Sequence, residues 1–472
     1  MISKNRLSIS VILVLITLVF IEKFKVVVAV MKKSLVLRPR YNNISSLSSS
    51  SLVSSSLTSS SLLKRHSSIP QCYYQKHQYR HIINELGTIQ RAVGKEAADK
   101  FISSLDNEKL IDVPTITIND PNTSRSSWEW VSGLDSVPAL NLKELQSLAA
   151  DFADPFKLVE KDIQSLSGGI KELLGSDHPV LESCAKYFFN IDGGKKIRPT
   201  MVLAVAYALN GGSALASQKR LAEITEMIHT ASLFHDDVID KAETRRGVPS
   251  VNKLFGNKIA ILGGDFLLSR ASVSLARLRN VEVVELLSTV IEHLVKGEVM
   301  QMKPAAGNDE AAMKYYLKKN FYKTASLMGH SCLAAAVLGG HSLEYQRATY
   351  LYGTYVGQAF QLIDDALDFE GSIESIGKAP LTDLKSGLAT APTLFAAKEF
   401  PELDVLIGRK FEKDGDIENA FQIVHKSQGL NLCKQLAQVH AEKAIEAIKV
   451  LKPSAARDAL ISLACKVITR SS

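Results

Sequence analysis

The stretch TEMIHTASLFHDDVIDKAETRR, residues Thr225–Arg246, predicts a helix with one polar face. Its polar positions are spaced by three or four residues, which places them on a single stripe: Thr225, His229, Ser232, Asp236 and Asp240. The stripe is acidic at its C-terminal end. Clustered carboxylates on an apolar helix repel one another unless positive charge compensates them. Because the ligand atoms would all be oxygens, the pattern favours a hard divalent cation such as Mg²⁺.

A phosphate-bearing ligand is the natural partner of such a site. Mg²⁺ usually binds through a few carboxylates together with substrate phosphates. Arg245 and Arg246 follow the stripe directly, and paired guanidiniums suit phosphate oxygens. One DDxxD sequence alone is weak, since charge runs usually face water.

The motif recurs downstream, which strengthens the prediction. VGQAFQLIDDALDFEG, residues Val356–Gly371, again places a polar set on one helical face, namely Gly357, Gln361, Asp364 and Asp368. Both copies lie in long, mostly apolar helical segments, where a solvated face is not expected. Two facing aspartate clusters would hold metal ions between them and bind a diphosphate through those ions.

From residue 151 onward the pattern is helical, with apolar residues three and four apart and Gly or Pro at the breaks. This predicts an all-α domain over residues 151–472, a single large helical bundle rather than a βαβ protein. Residues 85–150 are rich in loop formers toward their C-terminal end and are interpreted as a poorly ordered linker.

Residues 1–84 form a targeting leader of low complexity. They hold twelve Lys or Arg residues and one acid, Glu22, so the net charge of +7 comes from the leader and does not indicate nucleic-acid binding. A basic, Ser-rich segment without acids from Lys23 to Asn84 is typical of a mitochondrial or plastid transit peptide. A signal anchor built on the apolar run Leu7–Ile21 is the alternative. The five cysteines form no CxxC and predict buried thiols.

Three motifs together resemble the trans-isoprenyl diphosphate synthases: LFHDDVIDKAETRRG, GGKKIRPT (Gly193–Thr200) upstream and QLIDDALDF downstream. Within that family the chain is most similar to long-chain, solanesyl- or decaprenyl-type enzymes. The resemblance implies the isoprenoid synthase bundle with a central cavity. It also implies Mg²⁺-dependent, head-to-tail condensation of isopentenyl diphosphate onto an allylic diphosphate, farnesyl or geranylgeranyl. The product would be a long polyprenyl diphosphate for ubiquinone, made in the mitochondrion, in the matrix or at the inner membrane.

The resemblance also assigns site residues. It places Lys195, Arg198, His229 and Arg246 on isopentenyl diphosphate, and Arg245, Lys323, Thr324, Gln361 and Lys378 on the allylic diphosphate. Asp236 and Asp240 are the first-choice metal ligands of the first motif and Asp364 that of the second. Asp365 and Asp368 are further candidates, whereas Asp237 points off the stripe and is expected to support it. The groups acting on the leaving diphosphate would be Asp236, Asp240, Asp364, Asp365, Arg245 and Lys323.

Small residues one turn before Asp236, Ala231 and Ser232, leave room for a growing tail and favour a long product. A geranylgeranyl-type synthase is the first alternative, and a terpene cyclase fits less well because the second motif is also DDxxD. A non-catalytic subunit or a membrane scaffold would leave the charged motifs unexplained. The resemblance further implies a homodimer, with a heteromer as the alternative, and the apolar product suggests peripheral membrane association.

Overall fold

The computed structural model describes Ser147, Ala150 and residues 152–174, 179–190, 196–302, 310–370 and 381–470. All of these lie in one compact unit, Ile118–Ser472. The predicted leader, 1–84, and nearly all of the predicted linker, 85–150, lie outside the described residues. The boundaries at residues 84 and 150 therefore stay predictions.

The described chain is almost entirely helical, as predicted. In chain order the helices are α1 (Pro155–Leu158), α2 (Glu160–Leu174), α3 (Pro179–Asn190), α4 (Ile197–Asn210), α5 (Ala216–Ile239), α6 (Val251–Phe255), α7 (Asn257–Arg277), α8 (Val281–Met302), α9 (Glu310–Asn320), α10 (Ser326–Leu338), α11 (Leu343–Glu370), α12 (Thr382–Lys385), α13 (Ala391–Glu399), α14 (Glu402–Gly408), α15 (Asp416–Lys426), α16 (Gly429–Ile448) and α17 (Ala455–Thr469). A π-helical turn, Phe321–Ala325, joins α9 to α10.

Helices α10 and α11 form the centre of the bundle. Nearly every residue of α10 is buried, and α11 packs against α10, α16 and α17. A helix that is apolar on most of its surface is stable only when it is surrounded by others. Because α10 also packs against α5, it lies between the two helices that carry the aspartate motifs.

The first motif departs from a continuous helix after Ile239. Asp240 caps the C-terminus of α5, and two short strands follow, β1 (Thr244–Arg245) and β2 (Val248–Pro249), paired antiparallel. Between them Arg246 and Gly247 both adopt positive φ, 53° and 78°, as a type I′ hairpin turn requires. The interpretation of Thr225–Arg246 as one helix is therefore wrong at its end, since both arginines lie in a hairpin.

The four described cysteines are all buried and unpaired, which confirms the prediction of buried thiols for Cys184, Cys332, Cys433 and Cys465. Burial raises the pKa of each of these thiols. A thiol whose pKa is raised is a poor nucleophile at neutral pH. They serve as small apolar side chains in the core.

Candidate active site

The first aspartate motif ends α5 with three carboxylates in different surroundings. The Asp237 side chain is 1% exposed and accepts two hydrogen bonds from Arg245 Nε, at 2.8 and 2.9 Å. This pairing directs Asp237 into the protein and folds the hairpin back onto α5. Asp236, the preceding residue, is half-buried, and Asp240 is exposed at the helix end. Asp236 and Asp240 are thus the carboxylates that can reach a ligand.

The second motif ends α11, and its outer aspartates are held by later parts of the chain. Asp364 Oδ1 accepts a hydrogen bond of 2.5 Å from Arg470 Nη2, close to the C-terminus. Asp368 accepts hydrogen bonds from the backbone amides of Thr382 and Asp383, at 3.1 and 3.0 Å. Asp368 therefore steadies the first turn of α12, which begins just beyond residues 371–380.

The middle carboxylate of the second motif is buried. Asp365 is 3% exposed, and its two oxygens accept hydrogen bonds from the Tyr316 hydroxyl at 2.5 Å and from Gln361 Nε2 at 2.8 Å. Burial raises the pKa of Asp365 above its ordinary value, although Lys319 and these two donors oppose the shift. In this arrangement Asp365 supports the motif from within the bundle.

The π-helical turn Phe321–Ala325 connects the two motifs. On one side Lys323 Nζ lies 3.9 Å from Asp236 Oδ2. On the other side the Thr324 hydroxyl donates to Gln361 Oε1 at 2.8 Å, and Gln361 in turn contacts the second motif. Single π-turns are often found at functional sites. Here the turn brings the predicted allylic-diphosphate residues Lys323, Thr324 and Gln361 together.

A second group of basic residues surrounds the N-terminus of α4. This helix begins at Ile197, and Arg198 Nη1 donates to His229 Nε2 on α5 at 3.0 Å. Burial, with Arg198 and Arg246 nearby, lowers the pKa of His229 well below its ordinary value. The imidazole is therefore neutral at physiological pH and can accept this hydrogen bond. Glu226, 8% exposed, lies one turn before His229, and its charge acts on both Arg198 and Arg246.

Negative charge accumulates around Asp236. Burial, together with Glu298 and Asp240, raises the pKa of Asp236, while Lys323 acts in the opposite sense. Burial and Glu298 also raise the pKa of Asp240. Burial alone would lower the pKa of Lys323, but Asp236 and Glu298 raise it above its ordinary value, so the ammonium stays charged. A site with this much anionic charge favours a bound cation.

The donor set fits a hard cation, although the described residues do not form a ready-made metal cage. Within the described ranges, no group of three His, Cys, Asp or Glu side chains is arranged to hold a metal ion. Four of the six motif aspartates are instead turned toward protein donors: Asp237, Asp364, Asp365 and Asp368. The remaining pair, Asp236 and Asp240, offers carboxylate oxygens one helical turn apart, which suit Mg²⁺.

Two predicted ligands, Lys195 and Lys378, lie outside the described residues. Sequence reasoning also missed four residues that contact the site or act on its charges: Glu226, Glu298, Tyr316 and Arg470. Each is a single side chain in an ordinary helical or terminal stretch, so no local pattern marks it.

The two small residues before the first motif differ in burial. Ala231 has no exposed surface, whereas Ser232 is half-buried on the same stripe as Asp236, and its hydroxyl donates to His229 O at 2.8 Å. A residue that lines a path for a ligand needs some accessible surface. Ser232 is therefore the better candidate for the wall of a product path.

The all-α bundle, with two aspartate motifs joined through one basic π-turn, defines an enzyme of the prenyltransferase class. A model of the polyprenyl synthetase family matches residues 178–424. The chain belongs to this family. The predictions of the family, of the all-α isoprenoid synthase fold and of a prenyltransferase are confirmed.

Three similar proteins are informative. The chain is 47% identical over 391 residues, 72% of this chain and 84% of the relative, to a probable mitochondrial hexaprenyl pyrophosphate synthase of Neurospora crassa. It is 45% identical, over 67% of this chain and 79% of the relative, to the mitochondrial solanesyl-diphosphate synthase 1 of Oryza sativa. A polyprenyl synthase from Caulobacter crescentus, crystallised with calcium and isoprenyl diphosphate, superposes with a TM-score of 0.62 at 30% identity, covering 71% of this chain and 99% of that one.

Proposed function

We propose that this enzyme is a long-chain trans-polyprenyl diphosphate synthase that condenses isopentenyl diphosphate head-to-tail onto an allylic diphosphate. The observation that carries the proposal is the π-turn, which places Lys323 beside one aspartate motif and Thr324 beside the other. The similar hexaprenyl and solanesyl enzymes support a long product. Such a product would supply the side chain of ubiquinone.

The basic and polar residues of the site divide between the two diphosphates. Lys323, Thr324 and Gln361 lie between the motifs and bind the allylic diphosphate, together with Lys378 and with Arg245 from the hairpin. Arg198 and His229, joined at 3.0 Å, bind isopentenyl diphosphate with Arg246 and Lys195. The cations on the allylic side, Lys323, Lys378 and Arg245, would stabilise the charge that develops on the leaving diphosphate. Exclusion of water from the site would protect the reactive allylic cation.

Mg²⁺ is the proposed metal cofactor. Asp236 and Asp240 would hold it on α5, with Asp364 facing from α11 once Arg470 has released it, and Asp368 assisting. When bound, the metal would supply neutralisation of diphosphate charge. The calcium and isoprenyl diphosphate in the similar Caulobacter crescentus structure support a divalent-cation and diphosphate site in this fold.

Product analysis is the direct test of this function. The full chain would be supplied with farnesyl diphosphate, labelled isopentenyl diphosphate and Mg²⁺, and the products would be resolved by chain length. We expect a ladder that ends at a long polyprenyl. A ladder that ends at geranylgeranyl would favour the shorter-chain alternative, and no product dependent on Mg²⁺ would contradict the proposal.

A mitochondrial location is proposed on two grounds. The leader is basic, Ser-rich and free of acids between Lys23 and Asn84, and two of the similar proteins are named mitochondrial. Matrix or inner-membrane association suits the apolar product. Import of the full chain into isolated mitochondria, with loss of the leader, is the expected result. Import into plastids alone would contradict it.

Homodimerisation through helix α7 is the proposed assembly. Among the described helices α7 is the one that is long and apolar enough to cross a membrane, yet only 39% of its apolar window is buried. One face packs on α5, while Leu262 and Val273, on the other side, are 53% and 45% exposed. A second copy of this chain would cover that face. Sedimentation should show a dimer that Leu262→Glu with Val273→Glu converts to a monomer, whereas a monomeric parent would contradict the assignment.

A further inference from the structure

Lys323, the central cation of the site, is held by a residue that belongs to neither aspartate motif. Its Nζ lies 2.5 Å from Glu298 Oε2 but 3.9 Å from Asp236 Oδ2. Glu298 projects from α8, and its side chain is only 13% exposed. The ammonium is therefore bound to Glu298, and Asp236 is its more distant neighbour.

The backbone that carries Lys323 is equally constrained. A Cβ atom built on Gly297 of α8 would lie 2.9 Å from the Lys323 backbone nitrogen. A Cβ atom on Gly357 of α11 would lie 2.6 Å from Ala325 Cα. Because neither position admits a side chain, the π-turn Phe321–Ala325 is clasped between two helices. Lys323 thus has a fixed backbone and one fixed partner, Glu298.

The choice of partner affects the chemistry. A lysine side chain is flexible and carries a compact charge, and the pair Asp236 and Asp240 attracts it strongly in a partly buried site. Without a competing carboxylate the ammonium would move onto Asp236. It would then occupy a carboxylate needed for a metal ion and withdraw from the allylic diphosphate.

We propose that Glu298 is a positioning residue that keeps the Lys323 ammonium off Asp236 and directed toward the allylic diphosphate. The inference rests on the proposed role of Lys323 as a ligand of that diphosphate. It also explains why α8, which carries no aspartate motif, approaches the π-turn through adjacent residues, Gly297 and Glu298. Glu298 acts through Lys323 and need not touch the substrate.

The test is a double-mutant cycle with Glu298→Gln and Lys323→Met in the full chain. Supporting groups of a metal or ligand site typically contribute about 10- to 100-fold, so we expect Glu298→Gln to raise the KM for farnesyl diphosphate about tenfold. The KM for isopentenyl diphosphate should stay within about twofold, because the group around Arg198 is untouched. The affinity for farnesyl diphosphate, measured by calorimetry, should fall by the same factor by which its KM rises. The double variant should be no worse than Lys323→Met alone.

Glu292→Gln is the matched control, since Glu292 lies on the same helix, is also 13% exposed and binds Lys296 at 2.8 Å. It should leave both KM values unchanged while removing an equivalent ion pair. Glu298→Asp, which keeps the charge, should restore part of the affinity. If Lys323→Met leaves farnesyl diphosphate binding unchanged, the role of Lys323 itself is wrong. If Lys323→Met weakens binding but Glu298→Gln does not, or if the two effects multiply in the double variant, the positioning role of Glu298 is refuted.

Discussion

The two aspartate motifs have the same DDxxD spacing, yet the structure gives their first carboxylates different partners. Asp236 faces the ammonium of Lys323 at 3.9 Å and is 22% exposed. Asp364 binds the guanidinium of Arg470 at 2.5 Å and is 42% exposed. The first motif is thus supported from inside the bundle, and the second is covered by the end of the chain. Identical spacing therefore does not give equivalent sites.

The middle carboxylates differ as well. Asp237 forms its hydrogen bonds with the guanidinium of Arg245, whereas Asp365 forms its hydrogen bonds with the uncharged groups of Tyr316 and Gln361, and Lys319 acts on it only as a nearby charge. A buried ion pair and a buried hydrogen-bonded carboxyl respond differently when one partner is changed. The comparison predicts that the first motif depends more on charge and the second more on hydrogen bonding.

The largest expected effect is the loss of activity in Asp236→Asn. Asp236 is the motif aspartate that lies 3.9 Å from Lys323, the proposed ligand of the allylic diphosphate, so the variant should lose about 10³-fold in kcat. Asp364→Asn should lose less, because Asp364 already shares its charge with Arg470. Steady-state rates with farnesyl diphosphate at saturating Mg²⁺ would measure both. Equal losses would show that the two sites are equivalent after all.

A second contrast lies in the stability of the metal-free protein. Asp237→Asn removes the charge of a buried carboxylate, leaves the partly buried guanidinium of Arg245 without its counter-charge, and should reduce the free energy of unfolding by about 3 kcal/mol. Asp365→Asn keeps a carbonyl that can accept from Tyr316 and should reduce it by about 1 kcal/mol. Urea unfolding would measure the two values. A larger effect for Asp365→Asn would reverse the comparison.

A third and smaller contrast concerns pH. Thirteen residues before its first aspartate, α5 has Glu223, whereas α11 has the apolar residue Leu351 at the equivalent position. Burial and the neighbouring Glu172 raise the pKa of Glu223 to about 6 from 4.5, despite its ion pair with Arg220. The folded state therefore binds this proton more tightly than the unfolded chain, and stability falls as pH rises through that window.

Glu223→Gln should abolish this dependence. As the pH rises from about 4 to about 7, the free energy of unfolding of the variant should increase by about 2 kcal/mol relative to that of the parent. Urea unfolding of both proteins at the two pH values gives the difference directly. A gain independent of pH would show that Glu223 does not titrate in this range.

The repeated motifs and helical periodicity were sufficient to predict the fold and the family. The residues that distinguish the motifs were not predictable, because Glu298, Tyr316 and Arg470 reach the site from helices and a terminus distant in the chain. The hairpin after Ile239 was missed because TRRGVP lacks the Asn-Gly or Asp-Gly pair that usually signals such a turn. Local chemistry can be read from local sequence, whereas the partner of a buried charge depends on tertiary packing.

The final prediction concerns the path of the growing product. Four residues before its first aspartate, α5 has Ser232, whereas α11 has Phe360, whose ring lies 3.9 Å beneath the Arg470 guanidinium. We therefore expect the tail to pass along α5 rather than along α11. Ser232→Phe should raise the ratio of shorter to longer products about tenfold, which corresponds to a free-energy difference of roughly 1.4 kcal/mol. Phe360→Ala should leave product length unchanged, and Ala231→Phe should mainly destabilise the core by overpacking. Chain-length analysis that shows longer products from Phe360→Ala would place the path along the second motif instead.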